Sequence, residues 1–485
     1  MEFIPKEQFM PAGTDFVLPE TARPRVKGNG AWSRFRKNKS SVAAAAVIGA
    51  LLVFALLAPM LSPYDVSSRD GYYKNALPKV SALSFLGWDG CMRRSCSQAA
   101  CDYYRGIGLE SGDPAVKAVK SQTRDENTGR FHYELRIDTY GQVGFQYVDL
   151  PAAEYEALRA YEEETGIQVC YPLPRYYQTV FLAVPGRANL WYRLADESKF
   201  TTGEAQNHDP NGEAAYVADY LLDENGEPVY AVANQTGYRC RVLYSAYYRY
   251  QTGHDPVHPF GTNQHGQDIL VCLAYGARLS FLLALGVSVI NFFIGIAYGA
   301  AEGYYGGKLD LVMERFSDIL AAVPFIVVAT LFQLHLAKRA GPVGALLFAF
   351  VLTGWIGIAS RVRTQFYRFK NAEYVLSSRT LGASDGRLIF RHILPNALGT
   401  IITGTILMIP GVIFSESMLS YLGIVNLEAS RLTSIGTMLS AGRAYLGSFP
   451  HILFFPAAFI ALLQISFNLF GNGLRDALNP TLGQE

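Results

Sequence analysis

Cysteine is the residue type whose spacing in this sequence most clearly suggests covalent chemistry. The chain of 485 residues has six cysteines, of which Cys272 lies close to the start of an apolar run and the rest lie in one polar stretch. Thiols outside a membrane commonly pair, so the close spacing of the first three predicts at least one disulfide, whose connectivity cannot be read from sequence. A structural zinc site is the rival, and the spacing fits it loosely. The cysteines expected to form disulfides are Cys91, Cys96, Cys101, Cys170 and Cys240.

Two other patterns suggest chemistry but fail its requirements. Residues 302–309 (EGYYGGKL) resemble a phosphate-binding loop, but such a loop needs glycine at the first of these positions and Ser or Thr at the last. His254 and His258 have the spacing that seats a metal on a helix, but Pro256 and Pro259 argue against a helix there. We therefore expect no nucleotide site and no metal role, with both histidines in a solvated loop.

A polar segment late in the chain has the spacing of a short helix closed by glycine. The helix is predicted over Asn371–Leu381 (NAEYVLSSRTL), with one stripe formed by Tyr374, Ser378 and Leu381. Gly382 follows directly and suits the left-handed turn that closes a helix.

A second short helix is predicted after this glycine. Ser384 can cap it, it runs to about Ile393, and Pro395 then begins the next apolar run. Two short helices joined by glycine make a compact knob, on which the small Ser377 and Ser378 allow close approach by another protein. The alternative is an ordinary basic loop retained for membrane topology.

Long apolar runs must position this knob. A bilayer core about 30 Å thick needs about 20 apolar residues in a helix, and lipid offers no partner for unpaired backbone groups. The first run could be a cleaved signal peptide, but its length and the roughly 40 residues before it favour an uncleaved anchor. Six transmembrane helices are predicted: Val42–Leu61, Leu279–Ala300, Ile319–Leu336, Val343–Ser360, Ala397–Phe414 and Ile452–Phe470.

Lys and Arg set the orientation of these helices, because cytoplasmic loops are enriched in both. One cluster precedes the first helix and another lies between the fourth and fifth. With six helices, both clusters and both chain termini are expected on the cytoplasmic face, and residues 64–258 outside. The clusters are Arg23, Arg25, Lys27, Arg34, Arg36, Lys37 and Lys39, then Arg361, Arg363, Arg368, Lys370, Arg379, Arg387 and Arg391.

The outer segment is long enough to fold as an α+β domain. Arg130–Leu150 alternates apolar and polar residues on both sides of Tyr140 and Gly141, which predicts a β-hairpin. Ala152–Glu164 has helical spacing. The many tyrosines could form a recognition surface, but a core within a polar domain is the favoured interpretation. Further strands are expected over Gln178–Val184 and Val229–Val242.

The composition of the chain and the placement of its charged residues argue against several classes of function. Half of the residues are hydrophobic, 17% are charged, and the formal net charge is +1, which argues against a nucleic-acid partner. The ionisable residues of the apolar runs lie toward the run ends, whereas proton- or sodium-driven carriers place such groups near the midplane. A secondary transporter is therefore disfavoured, as is a receptor, which would need a sizeable cytoplasmic output domain. The residues concerned are Glu314, Arg315, Asp318 and Glu416.

Glu373–Thr400 resembles the cytoplasmic coupling loop of binding-protein-dependent ABC permeases of the dipeptide/oligopeptide family. That loop runs Glu-Ala-Ala, three residues, Gly, then Leu-Pro, and Gly382, Leu394 and Pro395 match it in register. Leu376 stands where the family has its glutamate, followed by Ser377 and Ser378 in the alanine positions, and Glu373 lies about one turn earlier. The departure leaves an ion pair by that carboxylate in doubt.

Other segments resemble the same family and leave out the outer domain. Asn263 and Gln267 stand where the family usually has Asp and Arg. The resemblance covers residues 30–65 and 258–485. The matching segments are Trp32–Ser41, Ala58–Asp65, Pro259–Leu279, Phe414–Gly423 and Asn472–Pro480.

The resemblance implies an all-α polytopic protein with six transmembrane helices, of the type I ABC importer permease fold, with an inserted extracytoplasmic α+β domain. Residues 1–40 are then a cytoplasmic tail, 41–62 the first transmembrane helix, 64–258 the insertion, and 259–485 the permease core with its coupling loop at 361–396. The residues implied in coupling to ATPases are Glu373, Tyr374, Leu376, Ser377, Ser378, Gly382, Ala383, Ser384, Asp385, Arg387, Phe390, Leu394 and Pro395.

The resemblance also implies the partners. They are a homologous second permease, two cytoplasmic ATPases that bind ATP and Mg, an extracytoplasmic substrate-binding protein and membrane lipid; no cofactor and no catalysis belong to this subunit. The implied function is half of a path for di- or oligopeptides across the cell membrane, with nickel, glutathione or a glycoside as alternative solutes. The insertion is expected to dock or cover the binding protein, or else to be a stabilising cap.

Overall fold

The structure of the chain is a computed structural model. It describes residues 30–124, 131–175, 192–194, 216–218, 220–425, 427 and 432–478. A bundle of long apolar helices is joined to an insertion of mixed helices and strands, which follows the first long helix.

The chain enters the bundle through a short helix, α1 (Gly30–Lys37), and then α2 (Lys39–Leu61). Asn38 caps α2, because its side chain accepts a hydrogen bond from the Ser41 amide at 3.3 Å. Beyond its first residue α2 has no charged side chain, which confirms the first predicted helix.

Two further predicted helices are present but longer than expected. The second apolar run lies within α6 (Ile269–Tyr305) and the sixth within α13 (His451–Leu478). Asp268 caps α6 by accepting from the Val271 amide at 2.8 Å. Polar caps of this kind, rather than the limits of the apolar run, decide where a helix begins.

The third predicted helix is wrong as a single element. Residues 307–335 form α7 (Gly307–Ala321) and α8 (Phe325–His335), bent by 73° relative to one another. Pro324 lies at the bend, where it lacks an amide hydrogen and disfavours helical geometry in the residue before it.

The fourth and fifth runs lie inside longer helical units. The fourth is part of α9 (Ala337–Phe369), which is kinked at Gly341, where φ is +73°, just before Pro342. The fifth is part of α11 (Asp385–Tyr421). In the described part of the chain five helices are long and apolar enough to cross a membrane, and a sixth crossing requires that α7 and α8 count as one. The chain is thus a multi-pass membrane protein.

A ridge of glycines lets α6 and α9 pack closely. Gly295, Gly299 and Gly303 recur every four residues along one face of α6. A Cβ atom on Gly299 would lie 2.3 Å from the Ala359 carbonyl oxygen, so any side chain there would push the two helices apart. Small residues at this spacing are a typical helix-packing device in membranes.

The insertion begins with a three-stranded antiparallel sheet covered by α3 (Gln98–Ser111). Its strands are β1 (Cys91–Ser97), β2 (Val116–Arg124) and β3 (Phe131–Asp138), in the order β1-β3-β2. Leu135 and Ile137 on β3 are buried against Tyr104 and Ile107 of α3.

The predicted hairpin across Tyr140 is wrong. β3 ends at Asp138, and β4 (Phe145–Leu150) pairs in a different sheet, with β9 (Tyr238–Leu243). Both strands exist as their alternation indicates, but β3 pairs with β1 and β2, whereas β4 pairs with β9, which lies far away in the chain. The turn between them contains a 3-10 segment, Gly141–Val143, that separates the sheets.

The second sheet combines β4, β5 (Cys170–Tyr171), β8 (Ala231–Ala233) and β9, and confirms strands within Val229–Val242. α4 (Ala152–Thr165) confirms the predicted helix and buries Leu158. α5 (Tyr244–Thr252) follows β9. A small separate pair consists of β6 (Tyr192–Leu194) and β7 (Tyr216–Ala218). The strand predicted over Gln178–Val184 lies outside the described residues.

Several of the described tyrosines of the insertion are core residues, which fits the favoured interpretation. Tyr73, Tyr140, Tyr244 and Tyr247 are buried in one cluster with Leu158. A buried ion pair joins the second sheet to the helix that covers the first, since Arg241 on β9 donates to both carboxylate oxygens of Glu110 on α3, at 2.8 and 2.5 Å.

A polar neck connects the insertion to the bundle. The ring nitrogen Nδ1 of His258 lies 2.8 Å from the carboxylate of Asp268, the cap of α6, and both side chains are buried. The solvated loop expected for His258 is therefore wrong. Thr262 accepts from the Ala76 amide at 2.8 Å. We call this end of the bundle the insertion end and the opposite end of α6 the knob end.

Candidate functional site

The knob predicted from residues 371–396 lies at the knob end. Its first helix is α10 (Glu373–Thr380), and Gly382 follows with φ +84°. A Cβ at Gly382 would meet no atom within 4 Å, so backbone conformation rather than crowding favours glycine there. The left-handed turn predicted at this residue is confirmed.

A single buried side chain holds α10 against the bundle. Val375 is fully buried and packs with Leu388, Ile389 and Ile393 of α11. The predicted stripe of Tyr374, Ser378 and Leu381 therefore does not face the bundle core.

The outer surface of the knob is apolar and exposed. Leu381 is 88% exposed and Phe390 68% exposed, and Tyr374 and Leu376 are each more than one third exposed. Exposed apolar side chains that lie together on one surface are typical of sites that contact another protein or a membrane. The remaining predicted coupling residues are exposed or half-buried around them: Glu373, Ser377, Ser378, Ala383, Ser384, Asp385, Arg387, Leu394 and Pro395.

The second knob helix is not a separate element. It is the first part of α11, which consists of Asp385–Arg387, a π-helical turn over Leu388–Ile393, and the α-helical stretches Leu394–Ile406 and Met408–Tyr421. Ser384 precedes α11 but makes no side-chain capping hydrogen bond, contrary to expectation. Pro395 does not break the helix because the wider turn before it relieves the clash of its ring with the preceding turn.

Polar contacts tie the knob to the end of α6. The Tyr304 hydroxyl donates to Asp385 Oδ1 at 2.5 Å, and Arg379 donates to the Tyr304 hydroxyl oxygen at 3.3 Å. Lys370 donates to the Gly303 carbonyl at 3.1 Å. α6 and α11 thus meet directly beside α10.

An acidic cluster around Arg363 braces the same end. Arg363 on α9 donates to Asp310 and Glu314 of α7, each at 2.7 Å at its shortest, and lies 3.7 Å from Glu302 of α6. The sequence predicts only a topological role for Arg363, as one of the basic residues between the fourth and fifth runs. Asp310 and Glu314 lie four residues apart and therefore on one helix face. This spacing is the feature of the sequence that indicates a shared basic partner.

A second buried polar cluster lies toward the insertion end. Glu416 of α11 is 1% exposed and accepts from Ser280 of α6 at 3.0 Å and from Ser420 at 3.2 Å. Glu416 lies toward the end of α11, as the sequence predicts, and the serine hydroxyls there donate hydrogen bonds to its buried carboxylate.

Four of the six cysteines fall into two separate clusters of the insertion. Cys96 and Cys101 are buried with Tyr133, while Cys170 and Cys240 are buried in the second sheet. The pKa of Cys170 is raised mainly by a hydrogen bond between its thiol and that of Cys240, and secondly by burial. Burial and the charge of Asp89 raise the pKa of Cys91 to about 12. Among the described residues, no three His, Cys, Asp or Glu side chains are grouped so that they could hold a metal ion.

Comparisons with known proteins match both ends of the chain. A family model described as binding-protein-dependent transport system inner membrane component matches residues 281–484. A model of the N-terminal TM domain of oligopeptide transport permease C matches residues 28–78. The oligopeptide transport system permease protein of Bacillus subtilis (strain 168) is 44% identical over 225 residues, which are 46% of this chain and 72% of that protein.

The chain belongs to this permease family. The dipeptide transport system permease protein of the same organism is 40% identical over 227 residues, which are 46% of this permease and 69% of that protein. A chain of the inward-facing MetNI methionine ABC transporter is similar over 43% of this permease and 96% of that chain, with 15% identity and a TM-score of 0.37. Neither family model covers residues 79–280, which include most of the insertion.

Proposed function

We propose that this permease is the membrane-spanning half of an ATP-driven importer for di- or oligopeptides. It forms the substrate path with a homologous second permease, two ATPases bind at the knob, and a substrate-binding protein delivers peptide at the insertion end. The relatives named above are dipeptide and oligopeptide permeases, which supports peptides as the solute. Six crossings, counting α7 and α8 as one, and the type I importer fold belong to this proposal.

The observation that carries the proposal is the exposed apolar surface of the knob. Leu381 and Phe390 expose most of their side chains, whereas neighbouring apolar side chains of α10 and α11 are buried. A cytoplasmic ATPase with an apolar groove would bury them, and Glu373 at the start of α10 would lie at the polar rim.

Transmission follows from the connection of the knob to the long helices. α6 spans 37 residues, about 55 Å at 1.5 Å per residue. Tyr304 joins the knob end of α6 to α11. Ser280 joins the insertion end of α6 to Glu416, which is also on α11. Movement of the knob by an ATPase would therefore shift both ends of a connected helix pair, as a rigid-body switch between two states requires.

The proposed orientation places the knob in the cytoplasm and the insertion outside the cell membrane. Arg363, Arg379 and Arg391 lie at the knob end, and an excess of such residues is typical of cytoplasmic loops. The insertion stands over the opposite end of the path, held by the buried pair of His258 and Asp268. From that position we propose that it docks the substrate-binding protein.

The position of the insertion outside the membrane also favours a disulfide between Cys170 and Cys240. Their side chains point to the same face of neighbouring strands and their thiols are hydrogen-bonded. Two thiols lose two protons and two electrons to an extracellular thiol-disulfide oxidant as the S–S bond forms. Peptide mapping without reductant should recover a peptide pair containing both residues, and recovery of both only as thiols from an oxidising exterior would contradict the pairing.

The test of coupling uses Leu381→Asp. The charge would oppose burial in an ATPase groove, and we expect ATPase recovered with the purified permease to fall at least about tenfold, with ATP-dependent peptide uptake lost. Leu222→Asp, at another exposed leucine within the insertion, is the matched control and should keep both. Equal ATPase recovery from the two variants would overturn the knob as the coupling site.

A further inference from the structure

A polar cavity of about 320 Å³ opens at the insertion end of the bundle. It lies between the segment after α2, the loop before α6, and α12 (Ile435–Arg443). Its residues belong to neither the knob nor the glycine ridge, so the coupling role of the permease does not account for it.

The loop before α6 is a rigid wall of this cavity. The Asn263 side-chain oxygen accepts from the amides of His265 and Gln267, at 2.9 and 3.0 Å. Gln267 donates in turn to the Val66 carbonyl at 2.6 Å. Gly266 has φ +73°, and a Cβ there would overlap the Asp70 backbone. The wall is therefore already ordered before any ligand arrives.

α12 forms the opposite wall and is equally constrained. Ser434 and Thr437 make a reciprocal capping box at its start. Gly436 packs against α11 so closely that a Cβ would lie 2.6 Å from the Ser417 Cα atom. The apolar side chains of Met438 and Ala441 face the cavity from this helix.

Among the described residues, two polar groups of the cavity indicate what a ligand would have to supply. Gln264 Oε1 is buried and, among the described residues, accepts no hydrogen bond. A buried acceptor in this state is costly and calls for a donor. The exposed guanidinium of Arg69 also lines the cavity, and the described lining residues include no Asp or Glu. An N–H donor and an anion would satisfy both.

We propose that this cavity binds the carboxyl-terminal residue of a peptide as it passes from the binding protein to the path. The terminal carboxylate pairs with Arg69, the last peptide N–H donates to Gln264, and the side chain packs on Met438 and Ala441. A volume at the low end of ligand sites suits the end of a chain rather than a whole oligopeptide. This inference rests on the proposed peptide function.

The test measures protection of a cysteine introduced into the cavity. Thr433→Cys, which lines the cavity, is labelled with a small water-soluble thiol reagent in the full-length permease with its partners in nanodiscs, and labelling at residue 433 is read by mass spectrometry. Saturating trialanine should slow labelling several-fold, and trialanine amide should not. Adding Arg69→Gln should raise the trialanine concentration for half-protection about tenfold or more, as loss of a charge-assisted hydrogen bond predicts.

The control for that change is Arg93→Gln, at an exposed arginine of the insertion outside the cavity, which should leave protection unchanged. Equal protection by the acid and the amide, or no protection, would overturn the carboxylate site. If trialanine does not slow labelling of the introduced cysteine while peptide uptake is normal, the site is refuted and the proposed function stands. Protection by trialanine without ATP-dependent uptake would support the site and refute the proposed function.

Discussion

Tyr304, in the last turn of α6, donates a hydrogen bond of 2.5 Å to Asp385, the first residue of α11. This contact joins the helix that starts beneath the insertion to the helix that carries the knob. Arg379 of α10 donates to the same hydroxyl oxygen, so one phenol connects all three helices.

Removal of this hydroxyl should weaken coupling. In Tyr304→Phe the ring stays packed and only the hydrogen bonds are lost, so we expect a several-fold drop in peptide moved per ATP hydrolysed. A neutral donor to a carboxylate contributes about 1.5–3 kcal/mol, and less where water competes. Transport and hydrolysis should be measured together in proteoliposomes. Tyr305→Phe, at the exposed neighbouring residue, should behave as the parent, and an equal loss in both variants would argue against a specific role for Tyr304.

The turn after α10 should tolerate only residues that accept positive φ. Gly382→Ala places a Cβ in open space but at φ +84°, which costs about 1–2 kcal/mol, and should lower import without loss of membrane protein. Gly382→Asn should retain most activity, because asparagine adopts this conformation more readily. Gly386→Ala, four residues later in a helical turn, should be neutral or stabilising. Thermal unfolding and uptake are the measurements, and a stabilised Gly382→Ala variant would contradict the strain.

The buried ion pair between Arg241 and Glu110 should control the stability of the insertion. Arg241→Ala leaves the buried Glu110 carboxylate without its guanidinium, and we expect a loss of about 3–5 kcal/mol in the free energy of unfolding of this region. Hydrogen exchange of β9 and α3 reports it in the full chain. Arg241→Met with Glu110→Leu should recover most of the loss, because no buried charge remains. If the double variant is no more stable to unfolding than Arg241→Ala, packing rather than charge is responsible for the loss.

The thiol of Cys91 should react slowly at neutral pH. Burial, and then the charge of Asp89, raise its pKa to about 12, so the reactive thiolate is scarce below that pH. At pH 8 we expect alkylation on the order of 10³-fold slower than for a thiol of pKa near 8.5. Because the pKa is raised, the rate should climb through pH 10 without a plateau, while N-acetylcysteine levels off. Asp89→Asn should speed the reaction, and a plateau near pH 8.5 would refute the shift.

Local patterns in the sequence determined the long helices and several turns. Apolar runs of about 20 residues predicted membrane helices because length and the need to pair backbone groups act within each segment. Gly382 predicted a left-handed turn, and Ala152–Glu164 a helix, for similarly local reasons. The resemblance to the family's coupling loop was likewise identifiable from the motif around Gly382 and Pro395.

Only the tertiary structure decided how these segments pair and end. The strands on either side of Tyr140 join different sheets, because β3 pairs with β1 and β2, and β4 pairs with the distant β9, instead of with each other. His258 and Asp268 form a buried pair that loop composition did not indicate. The second knob helix merges with α11 through a π-helical turn. Local periodicity records the preferences of one segment, whereas partner choice is a comparison of free energies between surfaces distant in sequence, and those surfaces exist only once the chain has folded.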